Sequence, residues 1–357
     1  MVYCRQVLTL TCIGAGERAV TLKDIARLAE VSHMTVSRVI NGTGYVSPET
    51  RERVLRVIEE NNFVPSASAR ALISGRTNVI GMLVMYDLSQ FPHDFLPPIL
   101  EGMSFVLNQN GYGTALFFDQ VNGKKNVAPE SMLAKGQVDG LLIVSVERDS
   151  AIRKRIQRLN VPIVLVNQRI DIPGVGYVVT DDCNGAYCAV EHLIQNGHRN
   201  IGFLQGTPRF STSMERQCGY EKALSRYGLP LRPEYCRVAN FDNETSYEQT
   251  KLLLAQRPEI TAIFAANDAM ALGAYRAVNE LGLSIPRDLS VIGYDNQEYC
   301  QFIQPPLTTV RKHRRSMGEH AARLIVDAVE NRADPQKLVM QPDLVLRQSV
   351  RRLEEGA

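Results

Sequence analysis

Apolar residues recur at helical spacing in two short stretches between residues 21 and 41, which spell TLKDIARLAEVSHMTVSRVIN. The stretches carry two inward stripes, namely Leu22, Ile25, Ala26 and Ala29, then Val36, Val39 and Ile40. Thr21 and Asp24 have capping-box spacing, and Ser32 can cap the second helix. Because the break between the stretches is so short, the pattern predicts a helix-turn-helix.

The second predicted helix carries a mainly polar stripe on its outward face. The stripe consists of Met34, Ser37, Arg38 and Asn41, at positions i, i+3, i+4 and i+7. A short helix with base-sized polar side chains, held against a partner helix, fits the DNA major groove. The pattern predicts DNA binding, although small helical hairpins without that function are common.

Two further elements follow before the pattern changes. Ser47-Pro48 is a cap followed by proline at the first helical position, which predicts a third helix to about Asn61. The stretch SASARALISG at 66–75 spans only about two helical turns and ends in glycine. An isolated helix that short is marginal in water. We therefore expect this segment to fold only against a twin copy or a DNA groove.

From residue 78 onward, short continuous apolar runs alternate with helical stretches. The runs cover 79–85, 113–118, 140–146, 162–167, 200–206, 262–267 and 290–296. Apolar strands separated by helices are typical of parallel sheets covered on both faces. Seven such units exceed one compact sheet, which favours two doubly wound subdomains. Ligands of such folds bind at the carboxyl ends of strands and in the cleft between the halves.

Composition places the chain among ordinary globular proteins and allows more than one domain in its 357 residues. Residues 1–77 hold ten basic and seven acidic side chains, whereas the remainder is nearly balanced. This small basic excess suits a phosphate-contacting module. Seven scattered cysteines without a C-x-x-C pair favour isolated reduced thiols in a cytoplasmic protein. Residues 1–20 fit a disordered extension better than a signal peptide, and no run is long enough to span a membrane.

Several segments together resemble the lactose-repressor (LacI/GalR) family: TLKDIARLAEVSHMTVSRVING, VSPETRERV, FVPSASARAL, GHRNIGFL, ANDAMALGA, SVIGYDN and PPLTTV. They cover residues 21 to about 349 in the family's order and spacing. The resemblance implies a bacterial transcription factor that binds a pseudo-palindromic operator as a homodimer and responds to a small carbohydrate-type effector. It also implies a headpiece at 21–64, a hinge helix at 65–77 and a core like periplasmic sugar-binding proteins at 78–350. The N-subdomain would comprise about 78–179 and 313–341, and the C-subdomain about 180–312 and 342–352.

The resemblance also assigns DNA-facing positions: Thr21, Leu22, Ser32, His33, Met34, Thr35, Ser37, Arg38, Asn41, Phe63, Ser66, Ala69 and Leu72. Met34 departs from the usual polar residue, so contact with a thymine methyl is expected there. Arg38 is the candidate for bidentate contact with guanine, the alternative being an exposed salt bridge. Leu72 matches the family leucine that wedges into the minor groove, the alternative being hinge–hinge packing. Phe63 stands where relatives use a tyrosine, so one hydroxyl contact with the DNA backbone is lost.

For the effector, the family pattern falls on Phe91, Phe95, Asn167, Arg169, Arg216, Phe241, Asn267, Asp295 and Lys312. An arginine fork and a carboxylate can each span two neighbouring hydroxyls, and Phe241 offers a flat face to a sugar ring. Alone, Asp295 is equally suited to capping a helix, and Phe95 to the core. Lys312 replaces a residue that is usually neutral. Beside Arg169 and Arg216, it raises the hypothesis of an acidic or phosphorylated sugar.

The sequence leaves three functional alternatives to consider. Effector binding either releases DNA or, as co-repression, strengthens DNA binding. A periplasmic sugar-binding protein would share the core but conflicts with the helix-turn-helix. An enzyme is disfavoured because no strand carries a G-x-G-x-x-G, P-loop or G-x-S-x-G motif. We expect no cofactor and no metal, since the six histidines lack ligand spacing. The end after Asp343 lacks leucine heptads, which favours a dimer over a tetramer.

Overall fold

The helical stripes of the N-terminal segment pack into a three-helix core. A computed structural model describes residues 20–41, 44–61, 63, 76–87, 95–121, 124–125, 136–144 and 150–353. Its first helices are α1 (Leu22–Leu28), α2 (His33–Asn41) and α3 (Pro48–Glu60). Their shared core consists of Ile25, Ala26, Ala29, Val36, Val39, Val54 and Phe63. The predicted helix-turn-helix and third helix are confirmed.

Each predicted cap of this unit is present. The Thr21 side chain accepts a hydrogen bond from the backbone of Asp24, whose carboxylate in turn accepts from the Thr21 backbone. Ser32 Oγ accepts from Thr35 N at 3.1 Å, and Ser47 Oγ accepts from Thr50 N at 3.3 Å. The caps fix where the helices begin because they satisfy backbone donors that would otherwise lack partners.

The chain divides into two compact units, Met1–Thr77 and Asn78–Ala357. In the second unit, one subdomain is built on a seven-stranded sheet. Its strands are β1 (Val79–Asp87), β2 (Gly113–Val121), β3 (Lys124–Lys125), β4 (Gly140–Val144), β5 (Ile163–Val166), β6 (Val175–Thr180) and β12 (Lys337–Met340). Its described helices are α4 (Leu96–Gln109), α5 (Ser150–Gln157) and α10 (Arg314–Asn331). The strand order is β12-β6-β5-β4-β1-β2-β3, parallel except for the β2–β3 pair.

The other subdomain is built on a six-stranded sheet of order β13-β11-β10-β9-β7-β8. Its strands are β7 (Ile201–Gln205), β8 (Cys236–Val238), β9 (Ala262–Ala265), β10 (Ser290–Asp295), β11 (Thr308–Arg311) and β13 (Asp343–Val345). Its helices are α6 (Asp182–Gln195), α7 (Ser211–Arg226), α8 (Asn243–Gln256) and α9 (Asp268–Glu280), with short 3-10 turns at Pro233–Tyr235 and Glu298–Gln301. Only β13 pairs antiparallel, with β11.

All seven predicted apolar runs are strands, and their parallel pairing confirms two α/β subdomains of the doubly wound kind. The chain passes between the two sheets three times, around residues 181, 312 and 341. Apolar clusters lie on both faces of the first sheet. Among the described residues, no helix combines the length and the apolar character that crossing a bilayer requires.

Candidate functional site

The outward face of α2 is accessible in the way that its sequence predicts. Ser32, His33, Met34 and Arg38 are exposed, and Met34 keeps 55% of its surface open. Thr35 and Ser37 are half-buried at the edge of the same face. An exposed thioether on a helix otherwise lined by polar groups is the kind of apolar surface that can contact a thymine methyl.

Arg38 extends from this face without an electrostatic partner in the described part of the headpiece. Its aliphatic stem runs beside Gly44, whose backbone is left-handed at φ +68°. No hydrogen bond or ion pair joins its guanidinium to another described residue. The guanidinium fork therefore keeps its donors for an external acceptor, which is what a guanine edge requires.

The remaining headpiece positions differ from one another in exposure. Thr21 is exposed but donates its hydroxyl to Asp24 Oδ2 at 2.6 Å, and Leu22 packs against the three-helix core. The Phe63 ring is 9% exposed and packs within that core, so its assignment to DNA stays a prediction. Ser66, Ala69 and Leu72 lie outside the described residues, as does the side chain of Asn41.

In the second unit, four charged side chains form one group: Arg216, Lys312, Asp182 and Asp295. Arg216 is at its centre. It lies on α7, is 3% exposed, and places Nη2 3.0 Å from Asp182 Oδ1 and 3.4 Å from Asp295 Oδ1. Its Nη1 donates to the carbonyl of Ala266, and its guanidinium lies 3.8 Å from the centroid of the Tyr294 ring. These contacts fix the plane of the fork and place it beside the end of β10.

Lys312 joins the two subdomains where the chain crosses between them. Its fully buried Nζ donates to Asn167 Oδ1 at 2.6 Å and to Asp182 Oδ2 at 3.0 Å. Asn167 follows β5 of the first sheet, whereas Asp182 begins α6 of the second subdomain. A buried cation of this kind is stable only because a carboxylate balances it. Lys312 is therefore a link between subdomains rather than an open anion-binding group.

Phe241 places an aromatic ring beside the same group, and Asn267 supports the backbone of Phe241. The Phe241 ring lies directly on Gly206, where a Cβ atom would collide with it, and 5.8 Å from the Arg216 guanidinium. Asn267 Oδ1 caps α9 by accepting from Met270 N at 2.8 Å, and its Nδ2 donates to the Phe241 carbonyl at 3.2 Å. Asn267 thus fixes the backbone that presents the ring.

Three of these residues adopt left-handed backbone conformations, which non-glycine residues rarely do. The φ angles are +61° at Asn167, +62° at Phe241 and +107° at Asp295. Asn167 directly follows a strand, Asp295 ends one, and Phe241 lies in the loop that follows one. Such local strain concentrates at binding sites, where the surrounding structure holds it in place.

Burial and neighbouring charge set the protonation of the carboxyl groups. Burial alone would raise the pKa of Asp182, but the adjacent Arg216 and Lys312 cations hold it below the ordinary value. Burial, reinforced by Asp295, raises the pKa of Asp268 to about 7. Burial, reinforced by Asp182, likewise raises the pKa of Glu215 to about 7. Two cations, Arg216 and Lys312, thus face two paired carboxylates, so the group carries almost no net charge.

The other predicted effector residues are less closely joined to this group. Arg169 is exposed, with its backbone 3.4 Å from Ser211 Oγ and its guanidinium over Tyr177. Phe95 is 7% exposed in the core of the first subdomain. Arg314 lies over the Phe95 ring and donates to Gln297 Oε1 at 3.0 Å across the subdomains. Phe91 lies outside the described residues.

Sequence reasoning missed four residues that build this group: Asp182, Asp268, Tyr294 and Gln297. Asp268 accepts from Thr309 Oγ1 at 2.5 Å and from Gln297 N at 2.7 Å, which supports the loop after β10. Asp182 lies two residues after a strand, as Asn267 does. The rule that strand ends line the cleft could have found it. No cluster of three metal-ligating side chains is present within the described ranges.

Comparison with known proteins gives two family matches. Residues 21–66 match the model described as bacterial regulatory proteins of the lacI family, and residues 190–350 match a periplasmic binding protein-like domain. A transcriptional repressor PurR from Mannheimia succiniciproducens is 36% identical over 335 residues, covering 93% of this chain and 99% of the relative.

This chain belongs to the lacI family of bacterial regulatory proteins. The resemblance found in the sequence is thereby confirmed, and the protein is a transcriptional regulator with a DNA-binding headpiece and an effector-binding core. The ribose operon repressor of Haemophilus influenzae is 34% identical over 332 residues and covers 92% of this chain and 98% of the relative.

Solved structures of other regulators match this chain over nearly its whole length. A lac repressor dimer bound to operator and the anti-inducer ONPF is 27% identical, with a TM-score of 0.79, covering 94% of this chain and 100% of that one. A complex of the transcriptional regulator CelR with cellobiose is 32% identical, with a TM-score of 0.70, covering 92% and 99%. Regulators of this family combine the same headpiece and two-subdomain core.

Proposed function

We propose that this lacI-family regulator is a homodimeric repressor that binds a pseudo-palindromic operator and leaves it when a small, uncharged carbohydrate binds between its subdomains. The observation that carries the proposal is the charge-balanced group of Arg216, Lys312, Asp182 and Asp295 beside the Phe241 ring. It combines directional hydrogen-bonding groups with an apolar face and leaves no large unpaired charge.

The balance of charge favours a neutral ligand over an acidic one. The Lys312 ammonium is fully buried and already bound to Asp182 and Asn167. The acidic or phosphorylated sugar suggested by the sequence is therefore not retained, since an anion would have to break that pair. The paired Arg216 fork and Asp295 carboxylate instead suit neighbouring hydroxyls, and the ring of Phe241 suits the apolar face of a sugar. Two solved relatives carry cellobiose and ribose.

The proposed mechanism is a shift between two arrangements of the subdomains. Lys312 and Asp182 stand on two of the three chain crossings, so a ligand beside them acts where the subdomains are joined. A ligand that prefers one arrangement 100-fold shifts the equilibrium by about 2.8 kcal/mol. We propose that this shift separates the paired hinge segments at 65–77 and weakens operator binding.

The proposed DNA-facing set retains every position predicted from the sequence, Phe63 included. Arg38 is assigned to a guanine edge and Met34 to a thymine methyl, while Leu72 is assigned to the minor groove. The exposure of Arg38 and Met34 supports the first two assignments. We further propose that the regulator works in the cytoplasm, requires no cofactor and catalyses no reaction.

The proposal is tested by selecting DNA that the full-length protein binds from a random pool, then screening neutral and acidic carbohydrates by thermal shift. Ligands that raise the melting temperature are added to protein on a labelled copy of the selected site. We expect a two-fold symmetric site and release by a neutral sugar. Exclusive response to an acidic sugar would contradict the ligand class, and tighter binding with ligand would establish co-repression instead.

A further inference from the structure

Two cysteines that are distant in the sequence face each other across α6 and α7. Cys183, in the first turn of α6, donates its S–H to Cys218 Sγ on α7 at a sulfur–sulfur distance of 3.3 Å. The helix backbones are unusually close here, because a Cβ at Gly219 would collide with the carbonyl of Cys183. Both thiols are free, as the sequence predicts, but these two are not isolated from each other.

The pair opens onto a surface cavity of about 440 Å³. Cys183 and Cys218 line it together with Glu215, Lys222 and Arg169, and both cysteines are only half-buried. The exposed Lys222 ammonium interacts with both sulfurs. A small reagent can therefore reach the thiols, and a cation stands where a thiolate would form.

We propose that Cys183 and Cys218 are a modification site, at which a low-molecular-weight disulfide such as oxidised glutathione converts the pair into a reversible intramolecular disulfide. Cys218 first loses its proton to solvent, and its sulfur attacks one sulfur of the reagent, which releases one small thiol. Cys183 then loses its proton, and its sulfur attacks Cys218 and expels the second small thiol. Two protein thiols are oxidised by two electrons while one small disulfide is reduced to two thiols.

The order of attack follows from the burial of the Cys183 thiol, which lies 3.3 Å from the Cys218 sulfur. Burial and the bond to Cys218 raise the pKa of the Cys183 thiol to about 11. Cys183 therefore stays protonated until the mixed disulfide on Cys218 offers it a sulfur to attack.

The disulfide would affect the ion pair between Asp182 and Arg216 in the proposed effector cleft. A disulfide has a sulfur–sulfur length of about 2.05 Å, so the sulfur atoms at the start of α6 and in the middle of α7, now 3.3 Å apart, must move closer together. Cys183 adjoins Asp182, and Cys218 lies half a turn after Arg216, whose ion pair with Asp182 spans the same helix crossing at 3.0 Å. Oxidation thus strains a contact on which the charge-balanced group depends.

The test uses the full-length protein, reduced and then equilibrated with glutathione buffers of increasing oxidised fraction. After acid quenching, free thiols are alkylated and the protein is digested with trypsin. We expect peptide 170–199, which carries Cys183 and Cys188, to become linked to peptide 217–222, which carries Cys218, with the loss of two hydrogens. Dithiothreitol should reverse the link, and cleavage after Tyr187 assigns it to Cys183.

Cys188→Ser is the matched control, since Cys188 is half-buried on the same helix but lies 4.0 Å from Asn184 Oδ1. This variant should retain the link. Cys183→Ser should instead accumulate glutathione on Cys218, whereas Cys218→Ser should leave Cys183 largely unmodified. Absence of the link in the fully oxidised wild type, or a link through Cys188, would overturn the proposal. Preferential glutathione addition to Cys183 in Cys218→Ser would overturn the order of attack.

Discussion

Lys312 and Asp182 form a fully buried ion pair, with Nζ 3.0 Å from Oδ2, between two of the segments that connect the subdomains. Asp182 also binds Arg216, so one carboxylate couples the subdomain connection to the candidate effector group. Burial lowers the pKa of Lys312, and the Asp182 carboxylate opposes that effect. Under the proposed function, the pair therefore connects ligand binding with subdomain arrangement.

The first prediction concerns the stability of this pair. Lys312→Met should lower the free energy of unfolding of the core by about 3–5 kcal/mol, because it leaves Asp182 less compensated in a buried site. A double-mutant cycle with Asp182→Asn should give a coupling energy of about 1–3 kcal/mol in urea unfolding.

Lys337→Met is the matched control for that cycle. Lys337 pairs with Asp171 at the same 3.0 Å, but both side chains are largely exposed. Its replacement should cost at most about 1 kcal/mol. Equal losses for Lys312→Met and Lys337→Met would show that the buried pair does not have the role assigned to it.

The second prediction concerns the aromatic platform. Phe241→Ala should weaken the affinity of the effector found by thermal shift about 10- to 100-fold, or about 1.4–2.8 kcal/mol, because the apolar contact is lost. Titration calorimetry measures this change directly. Phe302→Ala, at a ring that is 69% exposed in the same subdomain, should leave the affinity unaltered. An undiminished affinity in Phe241→Ala would remove the ring from the site.

The third prediction concerns base recognition by α2. Arg38→Ala should reduce discrimination at one base pair of each operator half-site by about 1–3 kcal/mol, because a bidentate contact with guanine is lost. Fluorescence anisotropy on operators with single base substitutions measures the loss. Arg53→Ala removes an equal charge from the exposed face of α3 and should leave the base preference intact. Unchanged discrimination in Arg38→Ala would refute the assignment.

The fourth prediction concerns acid sensitivity. His198 is fully buried, with Nδ1 2.9 Å from Thr261 Oγ1 and Nε2 3.2 Å from the Arg351 carbonyl, and burial lowers its pKa from 6.5 to about 4. Between these values the unfolded chain binds a proton that the folded chain does not. Stability from neutral His198 is therefore complete above pH 6.5 and is lost as the pH falls towards 4, by roughly 3 kcal/mol.

Urea unfolding from pH 8 to pH 4 checks this dependence. His198→Asn should flatten the decline below pH 6.5, whereas His33→Asn, at an exposed headpiece position, should retain it. Parallel declines in the wild type and His198→Asn would contradict the effect of burial.

Much of the fold follows from local patterns. Every predicted apolar run is a strand because a parallel sheet is buried on both faces. Six strands lie outside those runs, namely β3, β6, β8, β11, β12 and β13. The edge strand β12 leaves no such run because Lys337–Met340 alternates between exposed and half-buried positions. Phe63 has a role that the family position does not predict, because its apolar ring completes the three-helix core.

Apart from the family resemblance, the site was predictable where a residue follows a strand. Asn267, Asp295 and Lys312 could be placed at the cleft by that rule. The pairing of Lys312 with Asp182 could not be predicted, because Asp182 is 130 residues away and no local spacing joins them. The same holds for Cys183 and Cys218, which come together only through the packing of α6 on α7. Long-range pairs decide charge balance, and sequence periodicity does not record them.

The most direct test of the central claim measures operator affinity as the cleft is filled. Fluorescence anisotropy on the selected operator is followed while the effector is titrated into wild-type protein and into Phe241→Ala. We predict that saturating effector weakens operator binding of the wild type at least 10-fold, and that the variant needs correspondingly more effector for the same change. An effector that binds the wild type tightly yet leaves operator affinity unaltered would contradict the account.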